Sequence, residues 1–172
     1  MPLEDEIEHL MMYVKIQQNR YGDCVEFDLR TDMEQVHQLY SLKILLQPIV
    51  ENSFLYGMED QERPMIIRVS IREKDGWVII RVADNGCGMG KERLEQVRAQ
   101  IREGRKSGDI QNRRKSTGIG LHSIEMRIKL YFGIENAVSV YSRESGGTLV
   151  IVRIPKITRE NIDENGNLKE NL

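Results

Sequence analysis

Leu3, Ile7, Leu10, Met11, Val14 and Tyr21 recur at helical spacing behind Pro2 and an acidic first turn, Glu4-Asp5-Glu6. They predict an amphipathic helix of about five turns, ended by Gly22. Its apolar stripe belongs either to the core or to a docking face for a segment outside this chain. Val25, Phe27 and Leu29 then alternate with Glu26, Asp28 and Arg30, the pattern of a half-buried strand. Leu42 to Met58 reads as a largely apolar helix in which Pro48 is tolerable near the first turn or as a kink. Met65, Ile67, Val69 and Ile71 mark a second strand, and Asp75-Gly76 turns tightly into a third from Trp77 to Ala83, predicting an antiparallel hairpin. Lys91 to Glu103 is a charged helix, and Gly104 to Ser116 lacks apolar periodicity and reads as a mobile loop. Ile119 to Phe132 is a helix stopped at Gly133. Val138 to Ser142 and Leu149 to Ile154 are strands joined through Gly146-Gly147, and the polar chain beyond Lys156 is expected to fray. This order predicts a two-layer α/β sandwich: a mixed, mostly antiparallel sheet with helices on one face. Residues 1–23 form a leading helix, 24–156 the body of the domain, and 157–172 a polar tail.

The chain's 172 residues suffice for one domain with a real core, and a net charge of −2 provides no global attraction to nucleic acid or anionic membrane. Cys24 and Cys87 lie far apart without ligand-like spacing, which fits a reduced, cytosolic compartment. No apolar run approaches a membrane span, so no membrane contact by these residues is expected. The opening Met1-Pro2, directly before a helix, leaves open that the chain is part of something longer. One segment departs from the average. Lys91 to Lys115 carries nine Lys/Arg against four Asp/Glu, a local +5. Such runs are usually solvated faces, and this one has no aromatic interleaving for nucleic acid. A basic lid over an anionic ligand is the other reading, with Arg113, Arg114 and Lys115 its best phosphate contacts.

Four short clusters carry the candidate chemistry. Asn52, beside Glu51 in an apolar helix, offers a neutral carboxamide oxygen suited to Mg2+, or is simply bonded within the core. Tyr56 lies one turn on, on the same face. Asp84 is followed by Gly86, Cys87, Gly88 and Met89. Its carboxylate is able to accept from an exocyclic adenine amine while the glycines admit a flat base, or the segment is a plain turn. Cys87 has no His or metal partner and reads as a small lining residue. Thr117-Gly118-Ile119-Gly120-Leu121 opens a helix whose N-terminal N–H groups favour phosphate; Ser116 or Thr117 is its N-cap. It matches neither the P-loop nor the dinucleotide fingerprint. Gly146-Gly147-Thr148 is a hairpin turn, or sets the Thr148 hydroxyl beside the base.

Together these segments resemble a known family. Leu46-Gln47-Pro48-Ile49-Val50-Glu51-Asn52-Ser53 through Gly57 looks like the N box of sensor histidine kinases. Asp84 to Gly88 resembles the G1 box, Thr117 to Leu121 the G2 box, and Gly146-Gly147-Thr148 the closing motif. The wording around Asn52, and the helix running on to Phe132-Gly133, resemble the LytS/YesM-type kinases in particular. The resemblance spans residues 3 to 156. It implies the Bergerat (GHKL) ATP-binding fold, with ATP and Mg2+ as ligands. Asn52 would hold the metal, with Glu51 and Lys115 counted beside it in the chemistry. Asp84 and Thr148 would read adenine; Tyr56, Gly86, Gly88, Met89, Thr117, Gly118, Ile119, Gly120 and Leu121 would shape the rest of the nucleotide site. The phenylalanine box of many histidine kinases is not recognisable between Gly88 and Gly118.

Two departures sharpen the implied activity. His9, His37 and His122 are the only histidines, and none sits in the His-Phe motif of the phosphoacceptor. All three read as surface or capping residues, so the acceptor is expected on a separate dimerisation domain of a parent kinase, with a response regulator downstream. Related ATPases place a glutamate one turn before the metal-binding Asn; here that position is Pro48, which has no base to offer. The expectation is therefore a cytoplasmic, ATP-binding catalytic domain whose parent resides in the bacterial membrane. It would pass the γ-phosphate to histidine rather than to water. An anti-sigma-factor-type serine kinase of the same fold and a non-catalytic nucleotide-sensing module are the alternatives.

Overall fold

The computed structural model describes residues 1–57, 64–104, 117–164 and 168–169, without the side chains of residues 33, 35 and 117–119. Helix α1 (Leu3–Tyr21) leads through a 3-10 turn into strand β1 (Val25–Thr31) and a short helix, α2 (Met33–Val36). Then come α3 (Leu46–Gly57), β2 (Met65–Lys74), β3 (Trp77–Asp84), α4 (Lys91–Glu103), α5 (Thr117–Phe132), β4 (Val138–Ser142) and β5 (Thr148–Pro155). The five strands form one sheet in the order β1-β2-β3-β5-β4, with β1 parallel to β2 and the other pairs antiparallel. This is the mixed, mostly antiparallel sheet expected. The β2–β3 turn is the predicted two-residue hairpin, with Asp75 and Gly76 both at positive φ, as a type I′ turn requires.

Alternation sorts the sheet into two faces. Val69, Val82, Val150 and Val140 form one buried rung, and Ile71, Ile80, Val152 and Val138 the next. Helices cover this face, with α3 against β2, β3 and β5, and α4 and α5 packed on each other and on β4. The opposite face carries Arg68, Arg72, Arg81 and Arg153, all exposed.

The stripe of α1 is core: Leu3, Ile7, Leu10 and Val14 are buried in one cluster with α3. Of the helix's apolar residues, Met11, Met12 and Ile16 face outward. Helix α3 starts at Leu46 rather than at Leu42, which leaves Pro48 in its first turn. The cause is a side chain from another helix. Glu6, 3 % exposed, accepts the N–H groups of Ile44, of Leu45 at 2.9 Å and of Leu46 at 3.2 Å. It thus satisfies donors a helix start leaves open. Arg127 of α5 holds the same turn by donating to the carbonyls of Lys43 and of Ile44, the latter at 2.7 Å. Ile44 sits at φ 55, a strained conformation for a β-branched residue that this double clamp maintains.

The tail does not begin to fray at 157. Ile157 is 3 % exposed and its carbonyl accepts the N–H of Tyr40 at 2.8 Å, and a 3-10 turn with a Thr158–Asn161 capping box follows. The loop expected over Gly104 to Ser116 lies, after Gly104, outside the described residues.

Candidate functional site

The next rung of the covered face breaks the apolar rule. In register with Ile67 stand Asp84, Thr148 and Ser142, all on the side that faces the helices. These polar groups bond to one another and to what lies above them. Asp84 accepts from the Ser53 hydroxyl at 2.9 Å through Oδ2, and from the N–H groups of Gly86 at 2.9 Å and Thr148 at 3.1 Å through Oδ1. Burial pushes its carboxyl above the ordinary carboxylate range, and those three donors oppose the rise without reversing it. Ser142 Oγ lies 3.0 Å from Thr148 Oγ1, donates to the Gly147 carbonyl at 2.8 Å, and accepts the Met89 N–H at 2.9 Å.

Above this rung lies a cavity of about 220 Å3. Its apolar wall includes Ile49, Met89, Leu121, Val140 and Val150, and its polar groups include Asn52, Ser53, Asp84, Arg93 and Thr148. Tyr56 and Gly88 border it as well. An apolar cleft with a few convergent polar groups is the usual form of a small-molecule site. The Nδ2 atom of Asn52 is buried without a hydrogen-bond partner among the described residues. The neighbouring helix comes close at this point, since a Cβ on Gly120 would stand 3.9 Å from that nitrogen.

The loop after Asp84 is a turn, closed by the Asp84–Gly86 bond, and also part of the cavity wall. Two of its glycines are required sterically. A Cβ on Gly86 would fall 2.5 Å from the Cα of Gly57, where the end of α3 presses on the loop. Gly88 has φ 66, and a Cβ there would meet the Arg143 carbonyl at 2.0 Å. Cys87 donates its thiol to the Tyr56 carbonyl at 3.0 Å, in keeping with a lining role.

Some expected site residues stand elsewhere. Glu51 does not line the cavity; it accepts from Gln47 Nε2 at 2.7 Å. Its charge, after burial, helps push the Tyr13 hydroxyl up to about 12. One step along a helix is a turn of about 100°, so adjacent Glu51 and Asn52 cannot share a target. Thr117, Gly118 and Ile119 open α5 as helical backbone, but their side-chain contacts and Ser116, the other N-cap reading, lie outside the described residues, as do Arg113, Arg114 and Lys115. The basic run is not one surface. Arg93 borders the cavity, whereas Arg98 donates to the Val140 carbonyl at 3.1 and 2.8 Å. His122 bonds through Nδ1 to the Ile101 carbonyl at 2.9 Å, a capping contact at the end of α4.

Sequence reasoning missed Ser53 and Ser142. Ser142 shares the phase of Val138 and Val140, and Ser53 follows Ile49 by one helical turn. A polar residue in phase with a buried row was the available signal.

The sequence pattern of the family described as histidine kinase-, DNA gyrase B- and HSP90-like ATPases matches residues 39–158. A sensor protein kinase, HptS of Staphylococcus aureus (strain USA300), is 27% identical over 161 residues, covering 94% of this chain and 29% of the relative. The chain thus spans under a third of that curated relative. Among solved structures, the nucleotide-free catalytic domain of histidine kinase ThkA superposes with a TM-score of 0.61 at 17% identity, covering 92% of this chain and 97% of that one. The histidine kinase domain of a blue-light activated kinase from Erythrobacter litoralis EL346 gives 0.56 at 14% identity, with 86% and 59% covered. At such identities the structural likeness speaks for the fold.

Proposed function

Because the chain belongs to the histidine kinase-, DNA gyrase B- and HSP90-like ATPase family, we propose that it is the ATP-binding catalytic domain of a sensor histidine kinase of the LytS/YesM type. The observation that carries this reading is the placement of Asp84. Its carboxylate lies on the polar rung beneath an otherwise apolar cleft, fixed by Ser53, Gly86 and Thr148. Each carboxylate oxygen accepts more than one bond, so capacity remains for an exocyclic amine. Apolar walls on either side suit a flat base.

The far end of the cleft supports the phosphates. Asn52 is its one carboxamide, and a half-turn of that group exchanges its buried, unpartnered nitrogen for oxygen. That fits a shared Mg2+ ligand. Among the described residues no group of three or more His, Cys, Asp or Glu is able to hold a metal by itself, so the phosphates would complete the coordination. Mg2+ bound there supplies charge neutralisation for phosphoryl transfer. The protein's part is to position the base through Asp84 and Thr148 and the phosphates near Asn52 and the start of α5.

Pro48 stands where a water-activating carboxylate would be needed, one turn before Asn52. Transfer to a histidine on the dimerisation domain of a parent kinase, and onward to a response regulator, accords with that. Among the described residues no helix is long and apolar enough to cross a membrane; a membrane-bound parent with this domain in the cytoplasm is part of the same proposal.

The test is trans-phosphorylation. The chain is mixed with Mg-ATP labelled at the γ-phosphate and a separately produced acceptor domain from a kinase of this type. Label that is acid-labile and alkali-stable on the acceptor histidine is the expected result. Acid-stable phosphoserine, or no ATP binding by calorimetry, would overturn the reading.

A further inference from the structure

The two edges of the sheet are finished differently. On β4 helix side chains take part of the outward main chain. Arg98 takes the Val140 carbonyl, and Glu125 accepts the N–H groups of Val138 at 2.8 Å and Ala137 at 3.3 Å. Strand β1 has no such cover. From Glu26 to Thr31 its main chain bonds only to β2 among the described residues, in seven unbroken parallel pairs that start at Val25. An edge strand in a parallel pair turns half its N–H and C=O groups outward. Natural sheets blunt such edges with proline, bulges, short strands, charged side chains or a covering element; of these β1 has the charges Glu26, Asp28 and Arg30. Here β1 is seven residues long, without proline or bulge.

Side chains leave the same edge unfinished. Phe27 and Leu29 stand in register with Ile67 and Val69, whose exposure is zero, yet both remain only half-buried. The outward face carries Glu26, Asp28 and Arg30. These charges have a particular order: acid, acid, base, with the two ends equidistant from Asp28.

From this the geometry points to β1 as the interface for a second copy of this chain, paired antiparallel about a two-fold axis at Asp28. In that register Glu26 of each copy faces Arg30 of the other, and Phe27 faces Leu29, which closes the apolar rim. Val25 faces Thr31. The only like-charge contact is Asp28 with its counterpart. Each Asp28 already has Arg30 of its own chain at 2.7 Å and Arg68 beside it in register on β2. The product is a continuous ten-stranded sheet, with both helical layers on one side. Such an interface is isologous, so one charge pattern must be self-complementary, and this one is. Seven residues per side bury less than a standard interface of roughly 1,200–2,000 Å2, so the dimer is weak. The inference is independent of what the cavity binds.

Sedimentation velocity of the whole chain from about 10 μM to 1 mM tests it, with association expected to develop within that range, as for a weak, small interface. Glu26→Arg or Arg30→Glu alone sets like charges against each other and should weaken association at least tenfold. The double exchange, E26R with R30E, should restore it to within about threefold of the parent (cross-strand pairs respond to charge sign). Both substitutions are at exposed positions, and thermal melts check that each of the three variants folds. Amide exchange should slow at residues 26–31 as concentration rises. A chain that stays monomeric to 1 mM overturns the proposal. So does a dimer that ignores Arg30→Glu, or protection that develops on another surface.

Discussion

Ser53 Oγ donates to Asp84 Oδ2 at 2.9 Å, joining the middle of α3 to the last residue of β3 across the floor of the cavity. The bond fixes the carboxylate's plane. It also means that the residue next to Asn52 holds the residue proposed to read the base. Loss of the hydroxyl in Ser53→Ala removes one charge-assisted bond, worth about 1.5–3 kcal/mol when buried. ATP affinity measured by calorimetry should fall roughly tenfold. Asp84→Asn should cost more, about a hundredfold, since it turns an acceptor towards a donor. Unchanged affinity in both would remove Asp84 from the site.

Asp84 also sets a pH dependence. Burial raises its folded pKa, with only partial relief from its donors. Well below the ordinary carboxylate range the group is protonated in folded and unfolded chains alike, and its desolvation costs little. Above the raised value it is charged in both, and the folded chain carries the full cost. Stability against denaturant should therefore decline as pH rises through the window between the ordinary and the raised value. ATP binding should run the other way, lost as pH falls through the raised pKa. Asp84→Asn should flatten both profiles in that window.

The metal end separates from the base end in Asn52→Ala. That variant should bind ATP within about twofold of the parent when EDTA is present. With Mg2+ added, the gain that the parent shows should shrink by roughly tenfold, the worth of one oxygen ligand to a hard cation. Phosphate transfer to an acceptor should fall further still. A loss that is equal with and without Mg2+ would assign Asn52 to the base or to the core.

Removing the Glu6 carboxylate acts on the fold. Glu6→Ala leaves the buried N–H groups of Leu45 and Leu46 without acceptors, at about 2–4 kcal/mol. The urea midpoint should drop accordingly, and Glu6→Gln, which keeps one acceptor oxygen, should recover part of it. A midpoint unmoved by Glu6→Ala would mean that water replaces the cap at no cost.

How much of this was legible beforehand divides along physical lines. Strands and their turns were readable because alternation and Asp75-Gly76 are local signals, and Asp84 stood in phase with Val78, Ile80 and Val82. Asn52, Asp84 and Thr148, far apart in the chain, line one cavity, with Gly120 close to Asn52. What the sequence concealed was contact between distant side chains. Neither Glu6 capping α3 from 39 residues away nor Arg98 closing the β4 edge has a periodic signature. For the same reason the start of α3 was misplaced by four residues, because its boundary is set by a group on another helix. Glu51 stands off the cavity wall, because one helical step turns it about 100° from Asn52.

The Glu6 clamp gives the cavity a handle. Helix α1 is nineteen residues, about 28 Å of stiff rod, and its first turn is fastened to the first turn of α3. Asn52 sits six residues further down that same helix. Arg127 of α5 grips the same turn through the carbonyls of Lys43 and Ile44. Helices α1, α3 and α5 are thus fastened at one point, the turn that starts the helix carrying Asn52.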